Sequence, residues 1–283
     1  MSEADLANAA ALWSRLAIAA GGEALSLDGA LAIINPARPR LAEANRVVAE
    51  SRDGAFDAHR IAGILAAKGI ARATCDVVGA GELLRERLES EGYEPERLLP
   101  VALVENDLAA ALPDGCLVEA VEQERDRFAW EQIEAEVLAE RDEPPAISAD
   151  LSAWLRAAGA SLWLATMSGA PAGAAALFVH GGQALVARLT ERPALRRRGV
   201  GDAMLRELRQ AASSTRAAGA AGAGALHHEV AAFPGMAVRE PPVEPMPWAR
   251  GSGVSTRDAV ATVSDLLTPP EAGTILRFEI RCD

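Results

Sequence analysis

Three short strand-like segments follow one another in the second half of the chain, at 161–167, 173–179 and 183–190. The first two are joined by Ser168-Gly169-Ala170-Pro171-Ala172, a run of turn-forming residues. Strands joined by turns this short pair antiparallel, because there is no room for a crossover helix. The chain is therefore constrained to contain an antiparallel meander, whose third strand runs into a glycine-rich turn and then an amphipathic helix.

Helical and strand-like segments also alternate through the rest of the chain. In the first half we predict helices and strands at 6–20, 31–34, 57–68, 72–78, 81–90 and 98–104. In the second half we predict further elements at 116–121, 124–139, 151–157, 202–216, 225–230, 258–267 and 274–281. The charge run in the helix at 124–139 is interpreted as a solvated face.

Residues 106–115 combine turn formers with a polar start, so we place a linker there and a domain boundary near residue 112. With 283 residues, half of them hydrophobic, the chain can bury two cores. We therefore expect two domains, 1–112 and 113–283. Each is expected to be an α/β fold with a mixed, largely antiparallel sheet flanked by helices.

Composition excludes several classes of function. No stretch approaches the roughly 20 apolar residues of a membrane helix, and the acidic start lacks the order of a secretory signal, so we expect a soluble, cytoplasmic protein with no membrane partner. The net charge of −12 argues against nucleic-acid binding. Cys75, Cys116 and Cys282 are odd in number and widely spaced, which indicates reduced thiols and no metal site.

The segment from Arg196 to Gly201 reads Arg-Arg-Arg-Gly-Val-Gly and stands between the third strand of the meander and the helix. The exposed N–H groups of a helix's first turn and the positive end of its dipole bind phosphate groups. Gly199 and Gly201, on either side of Val200, allow close approach to the backbone, and Arg196, Arg197 and Arg198 add charge. We predict a phosphate site at residues 196–202, which end with Asp202.

The segment is neither a P-loop, since no Gly-Lys-Ser or Gly-Lys-Thr occurs, nor a dinucleotide fingerprint, since the third glycine is absent. Arg196-x-x-Gly199-x-Gly201 resembles the Gln/Arg-x-x-Gly-x-Gly/Ala loop of the GNAT acyltransferase superfamily. The run 189–205 resembles the extended family pattern, with one extra residue before Pro193. The resemblance implies acetyl-CoA as co-substrate, its pyrophosphate on the loop and its pantetheine arm against Leu189 and Thr190 of a splayed strand.

The first half resembles a degenerate copy of the same fold. Segments 59–64, 69–78, 83–92 and 93–104 are similar to the closing elements of a GNAT domain, with Gly92-Tyr93 where the family often has Gly-Phe. No Arg-x-x-Gly-x-Gly loop occurs before residue 112. We therefore expect the first half to be structural.

Acyl transfer to an amine needs a base that removes a proton from the nitrogen. The family's usual acid is a tyrosine late in the domain, and the single tyrosine here, Tyr93, lies in the first half. Glu191 and His228 are candidate bases, and His227 and His180 are further candidates; each also fits an ordinary strand or turn residue. Trp248, in a proline-rich segment, is a possible site-lining residue.

The resemblance implies an N-acetyltransferase that transfers an acetyl group to an amine of a small molecule or peptide by direct attack on the thioester. A non-catalytic acyl-CoA-binding regulatory module is the alternative, because the tyrosine is missing and the segment after Arg216 is atypical. A purely structural partner protein is a third hypothesis.

Overall fold

The computed structural model describes residues 12–27, 30–50, 56–78, 82–103, 113–141, 143–181, 183–217, 226–231 and 275–282. Within these residues, eleven strands form one continuous sheet. The strands are β1 Glu23–Leu27, β2 Ala30–Ile34, β3 Arg46–Glu50, β4 Arg72–Val78, β5 Glu96–Leu103, β6 Cys116–Ala120, β7 Ser161–Met167, β8 Ala170–His180, β9 Gln183–Glu191, β10 Leu226–Ala231 and β11 Ile275–Arg281.

Six helices accompany the described part of the sheet: α1 (12–19), α2 Ala58–Ala67, α3 Glu82–Ser90, α4 Glu124–Ala139, α5 Ala146–Ala157 and α6 Val200–Ala217. Two short 3-10 turns, Ala42–Ala44 and Pro193–Leu195, precede β3 and α6. None of the helices in the described ranges combines the length and the apolar character that a membrane span requires.

The strands lie in the order β1-β2-β3-β4-β11-β5-β10-β9-β8-β7-β6. The strands β6 to β9 pair antiparallel with their sequence neighbours, so the predicted meander is confirmed. Two neighbouring pairs, β3–β4 and β9–β10, are parallel, and each is connected through a helix. The expected fold class, a mixed and largely antiparallel sheet with flanking helices, is confirmed.

The last strand of the chain completes the first half of the sheet. Strand β11 lies between β4 and β5 and pairs antiparallel with both. Strand β5 in turn pairs with β10. The sheet thus runs without interruption past the predicted boundary, which itself lies outside the described residues. The position of that boundary stays a prediction, and β11 lies among strands assigned to the other side of it.

Helices cover both faces of the sheet. Apolar residues of α4, namely Trp130, Ile133 and Val137, follow helical spacing and are buried, and Trp130 and Ile133 pack with α1, α5 and β7–β9. The indole N–H of Trp130 donates to the carbonyl of Ala175 at 2.9 Å, so the helix is also tied to β8. Each large side chain buried in this way contributes about 1.5–3 kcal/mol. Helix α6 packs on the opposite face.

Two strands escaped the sequence analysis. Strand β3 contains two valines and an alanine between Arg46 and Glu50, too short an apolar run to indicate a strand. Strand β1 is an edge strand whose side chains are mostly exposed, so its hydrophobic pattern is weak. The helix predicted at 258–267 lies outside the described residues.

Candidate functional site

Strands β9 and β10 start side by side and then separate. They pair at Leu226 with Ala184, His227 with Leu185 and His228 with Val186, and no further pair follows in the described residues. Beyond this point β10 continues along β5, while β9 continues along β8 as far as Glu191. A gap therefore opens between the two strands, and one edge of residues 187–191 has no described strand beside it.

A β-bulge lies where the strands separate. In the pairing of β8 with β9, Ala176 lies opposite Arg188 and Leu177 lies opposite Val186. Ala187 of β9 is therefore an extra residue with no partner on β8. An extra residue on one strand bends that strand and increases its twist. The bulge at Ala187 is thus a local cause of the divergence of β9 from β10.

The predicted phosphate loop follows β9 directly. After the Pro193–Leu195 turn, Arg197 and Gly199 adopt left-handed backbone angles, with φ of 62° and 80°, and α6 begins at Val200. A Cβ at position 199 would also lie 3.0 Å from the Cγ of Pro113, so glycine is favoured there twice over. The loop therefore ends in the first turn of α6, whose N–H groups have no acceptor within the helix.

A glycine that the sequence analysis did not single out sets how closely α6 approaches the sheet. A Cβ at Gly173 of β8 would lie 2.7 Å from the Sδ of Met204 and 3.0 Å from the Cγ1 of Val200. Only a residue without a side chain allows the first turns of α6 to lie this close to β8. The signal for it was a glycine inside an alanine-rich strand.

The three arginines of the loop have different surroundings. The guanidinium of Arg196 forms an ion pair with Glu140, and Arg192 forms one with Glu136 at 2.7 Å; both carboxylates lie on or just after α4. Arg197 and Arg198 are exposed, and neither forms an ion pair with a described residue. Of the predicted phosphate ligands, these two are the side chains available to an anion.

The carboxylate of Glu191 contacts the loop. It accepts a hydrogen bond from the backbone N–H of Gly201, in the first turn of α6. Negative charge is stabilised at this end of a helix. In this structure Glu191 is therefore a hydrogen-bond partner of the loop. The predicted role of Glu191 as a base stays a hypothesis.

The other candidates lie apart from one another. The backbone of His228 forms the last rung between β10 and β9, while the side chains of His227 and His228, and the whole of Trp248, lie outside the described residues. His180 ends β8 and pairs with Gln183, at the end of β9 that is far from the gap. Its Nε2 lies 2.8 Å from a guanidinium nitrogen of Arg15. The described residues hold no group of three or more side chains that could bind a metal ion.

A buried carboxylate that the sequence analysis missed lies beside the gap. Glu134 of α4 is fully buried and accepts hydrogen bonds from the Nε of Arg188, at 2.7 Å, and from the hydroxyl of Thr190. The prediction that the charges of this helix form a solvated face is therefore wrong for Glu134. The available signal was its position next to Ile133, within the apolar stripe that also contains Trp130 and Val137.

The charge of Arg188 depends on this contact. Burial by itself lowers the pKa of the Arg188 guanidinium, but the charge of Glu134, its hydrogen bond and the charge of Glu43 together raise that pKa above its ordinary value. Arg188 therefore stays charged in a partly buried position, and Glu134 is its close counter-ion, with Glu43 at 3.8 Å.

The corresponding strand pair of the first half is closed. Strands β3 and β4 pair along all five residues from Arg46 to Glu50, with no divergence. The helix that follows β3, α2, is capped by Asp57, whose side chain accepts from the N–H of Arg60 at 2.9 Å. Tyr93 packs on Phe278 with ring centroids 5.2 Å apart and lies, partly buried, against the core of this half. The structural role expected of the first half stays a prediction.

Comparison with known proteins gives likeness in three dimensions alone. No family model and no curated protein matches the chain. A functionally unknown conserved protein from Staphylococcus epidermidis is similar with a TM-score of 0.56 at 9% identity, over 92% of this chain and 94% of that one. At that identity the similarity concerns the fold and carries no activity.

Two further solved structures are similar at lower scores. A GCN5-related N-acetyltransferase from Kribbella flavida is 18% identical, over 94% of this chain and 95% of that one, with a TM-score of 0.46. A tandem GNAT protein from the clavulanic acid biosynthesis pathway is 11% identical, over 90% and 78%, with a TM-score of 0.45. The present chain has an antiparallel meander, a splayed parallel pair and a glycine-rich loop before α6, which is the arrangement of strand, loop and helix that the resemblance of its loop motif implied.

Proposed function

We propose that the chain binds acetyl-CoA at the gap between β9 and β10 and transfers the acetyl group to an amine of a small molecule or peptide. The observation that carries the proposal is the sequence of features along β9: a bulge at Ala187, divergence from β10, and a glycine-rich loop that leads into α6. An extended arm and a charged diphosphate need these two kinds of site in succession.

The residues present suit such a ligand. The unpaired edge of residues 187–191 offers backbone N–H and C=O groups to the amides of the pantetheine arm, in the manner of an added strand. The first turn of α6, with Arg197 and Arg198, offers donors and positive charge to the pyrophosphate. A phosphate oxygen that takes the N–H of Gly201 displaces the carboxylate of Glu191 from it.

The reaction follows from the chemistry of the thioester. The amine nitrogen attacks the carbonyl carbon, a C–N bond forms, the C–S bond breaks, the nitrogen loses a proton and the thiolate gains one. Because a thiolate is a good leaving group, the protein contributes mainly orientation and exclusion of water. Glu191 and His228 remain hypotheses for the base, and the backbone of His228 lies at the point where the strands diverge.

Calorimetry with CoA tests the site. Gly201→Trp places a bulky side chain at the first turn of α6; the nearest atom is the end of the flexible Glu191 side chain, so the fold has room to adjust. We expect affinity for CoA to fall about 100-fold or more, because the indole excludes the pyrophosphate from the amides. Gly63→Trp, on the exposed surface of α2 with no atom within 4 Å, is the matched control. Equal CoA affinity for all three proteins would remove the loop from the proposal.

A regulatory module that binds acyl-CoA without turnover is the second candidate. The observation in its favour is the position of Tyr93, the single tyrosine, which packs against the core of the other half and not beside the gap between β9 and β10. Release of free thiol from acetyl-CoA in the presence of a panel of amines separates the two functions. Thiol release with an amine supports the transferase, and CoA binding without release on any amine supports the regulatory module.

A further inference from the structure

Each parallel strand pair has a buried carboxylate next to it, and the two carboxylates are attached to different kinds of element. Asp76 lies on β4, a strand of the closed pair. Glu134 lies on helix α4, outside the sheet. Each carboxylate forms an ion pair with an arginine of another element, so each cluster of carboxylate and arginine holds two elements together.

The cluster of the first half joins strands to strands. Asp76 accepts from Arg46 of β3 and, at 2.7 Å, from Arg277 of β11. Both arginines belong to the strands on either side of β4 in the sheet. Charge attraction therefore acts within the plane of the sheet and holds β3, β4 and β11 together.

The cluster of the second half joins a strand to a helix. Arg188 and Thr190 are alternate residues of β9, so both side chains leave the same face of the strand, and both reach Glu134. They lie just beyond the bulge, in the segment that has left β10. The pairs Arg192–Glu136 and Arg196–Glu140 continue the same attachment along α4 into the loop.

We propose that Glu134 is a positioning residue that holds residues 187–191 of β9 against α4 and so keeps the edge of this segment clear of β10. The inference rests on the proposed function, because the edge that is kept clear is the one assigned to the pantetheine arm. Glu134 acts through Arg188 and Thr190. It differs from Asp76 in the element that carries it, and together with the bulge at Ala187 this difference leaves one strand pair open and the other closed.

Calorimetry with CoA and hydrogen exchange on the full chain test the role. In Glu134→Gln the neutral amide no longer balances the charge of the partly buried Arg188, so the segment loses its anchor. We expect CoA affinity to fall about tenfold, the size of a lost charge-assisted hydrogen bond, and the amides of residues 187–191 to exchange faster. Thr190→Val removes one hydrogen bond without changing the shape of the side chain, and should give a smaller loss of the same kind if Glu134→Gln fails to fold.

Asp76→Asn is the matched control, since it neutralises a buried carboxylate that is likewise held by arginine. It should lower thermal stability as Glu134→Gln does, yet leave CoA affinity within about twofold of the wild type. Wild-type affinity in well-folded Glu134→Gln and Thr190→Val, or an equal loss in Asp76→Asn, would overturn the inference. If the wild type itself does not bind CoA, the proposed function fails, and the exchange of residues 187–191 alone decides whether Glu134 positions the strand.

Discussion

The two described parallel strand pairs, β3–β4 and β9–β10, are both connected through a helix, but the first pair stays together along β3 whereas the second separates. In the first pair every residue from Arg46 to Glu50 has a partner, and Asp76 draws the neighbouring strands together. In the second pair, contact ends at Val186 and His228, and the side chains of Arg188 and Thr190 of β9 contact Glu134 of α4. A shared topology thus gives a closed sheet in one half and an open edge in the other, and the difference lies in a few side chains and one bulge.

The helix after the first strand of each pair, α2 after β3 and α6 after β9, also differs between the two halves in how its N-terminus is capped. Asp57 caps α2 from the position directly before the helix, so its carboxylate is part of the helix start. The N–H of Gly201 is instead satisfied by Glu191, ten residues away at the end of a strand. A side chain from outside the helix can rotate away without unwinding it, which leaves the α6 terminus adaptable to a ligand and the α2 terminus fixed.

The largest effect is expected from removing the strand that both halves share. Truncation after residue 274 deletes β11, which lies between β4 and β5 and carries the buried side chains of Phe278 and Ile280. Loss of a central strand exposes two unpaired strand edges and leaves a cavity in the core. We expect no cooperative unfolding transition by circular dichroism. Removal of Asp283 alone, as the control, should leave a normal transition, and a cooperatively folded truncated chain would show that the halves are independent.

Next in size is the loss of the cluster that closes β3–β4. Asp76→Ala leaves the guanidinium of Arg46, which is 2% exposed, without its carboxylate. Breaking a buried ion pair in this way costs about 3–5 kcal/mol. Denaturant unfolding measures the change, and Asp150→Ala, which removes an exposed pair with Arg38, should cost no more than about 1 kcal/mol. Similar small losses in both variants would mean that Asp76 does not hold the pair closed.

Acid should weaken the closed half in a predictable direction. Burial by itself raises the pKa of Asp76, but Arg277 and Arg46 lower it below its ordinary value of 3.8. A carboxyl whose pKa is lower in the folded state stabilises the fold above 3.8, and that contribution is lost as the pH falls through the folded-state pKa. Unfolding free energies measured between pH 6 and pH 2, about the range in which carboxyls titrate, should therefore fall. Asp76→Asn should flatten this slope, and an unchanged slope would contradict the assignment.

The smallest effects should separate the arginines of the loop. Arg197→Ala and Arg198→Ala each remove an exposed charge near the proposed pyrophosphate site and should weaken CoA binding about three- to tenfold, less so at high salt. Their stability should change by less than about 0.5 kcal/mol. Arg196→Ala removes the ion pair with Glu140, so it should affect the anchoring of the loop more than its charge-dependent affinity. Calorimetry at two salt concentrations tests this, and identical salt dependence for all three variants would contradict the distinction.

Elements with strong local signals were predicted from the sequence almost residue by residue. Strand β4 (Arg72–Val78), helix α4 (Glu124–Ala139) and strand β7 (Ser161–Met167) have the predicted bounds. Each combines a regular apolar pattern with turn residues at its ends, and both signals come from neighbours in the chain. Strand β3 lacks both signals. Its apolar run is short, and it begins with the charged residue Arg46, which is stabilised in a buried position by Asp76, thirty residues away.

The meander and the turn at Gly199 could be predicted from the sequence alone, since backbone angles and turn types depend on a few adjacent residues; the helix expected from 202 begins two residues earlier, at Val200. Only the tertiary structure decided which strand pair is open, where β11 lies and what Glu134 does. Those features depend on contacts between distant residues, such as Glu134 with Thr190 and Asp76 with Arg277. The sequence does not distinguish a charged residue on an exposed helix face from one in a buried cluster, because folding brings its partner to it from a distant part of the chain.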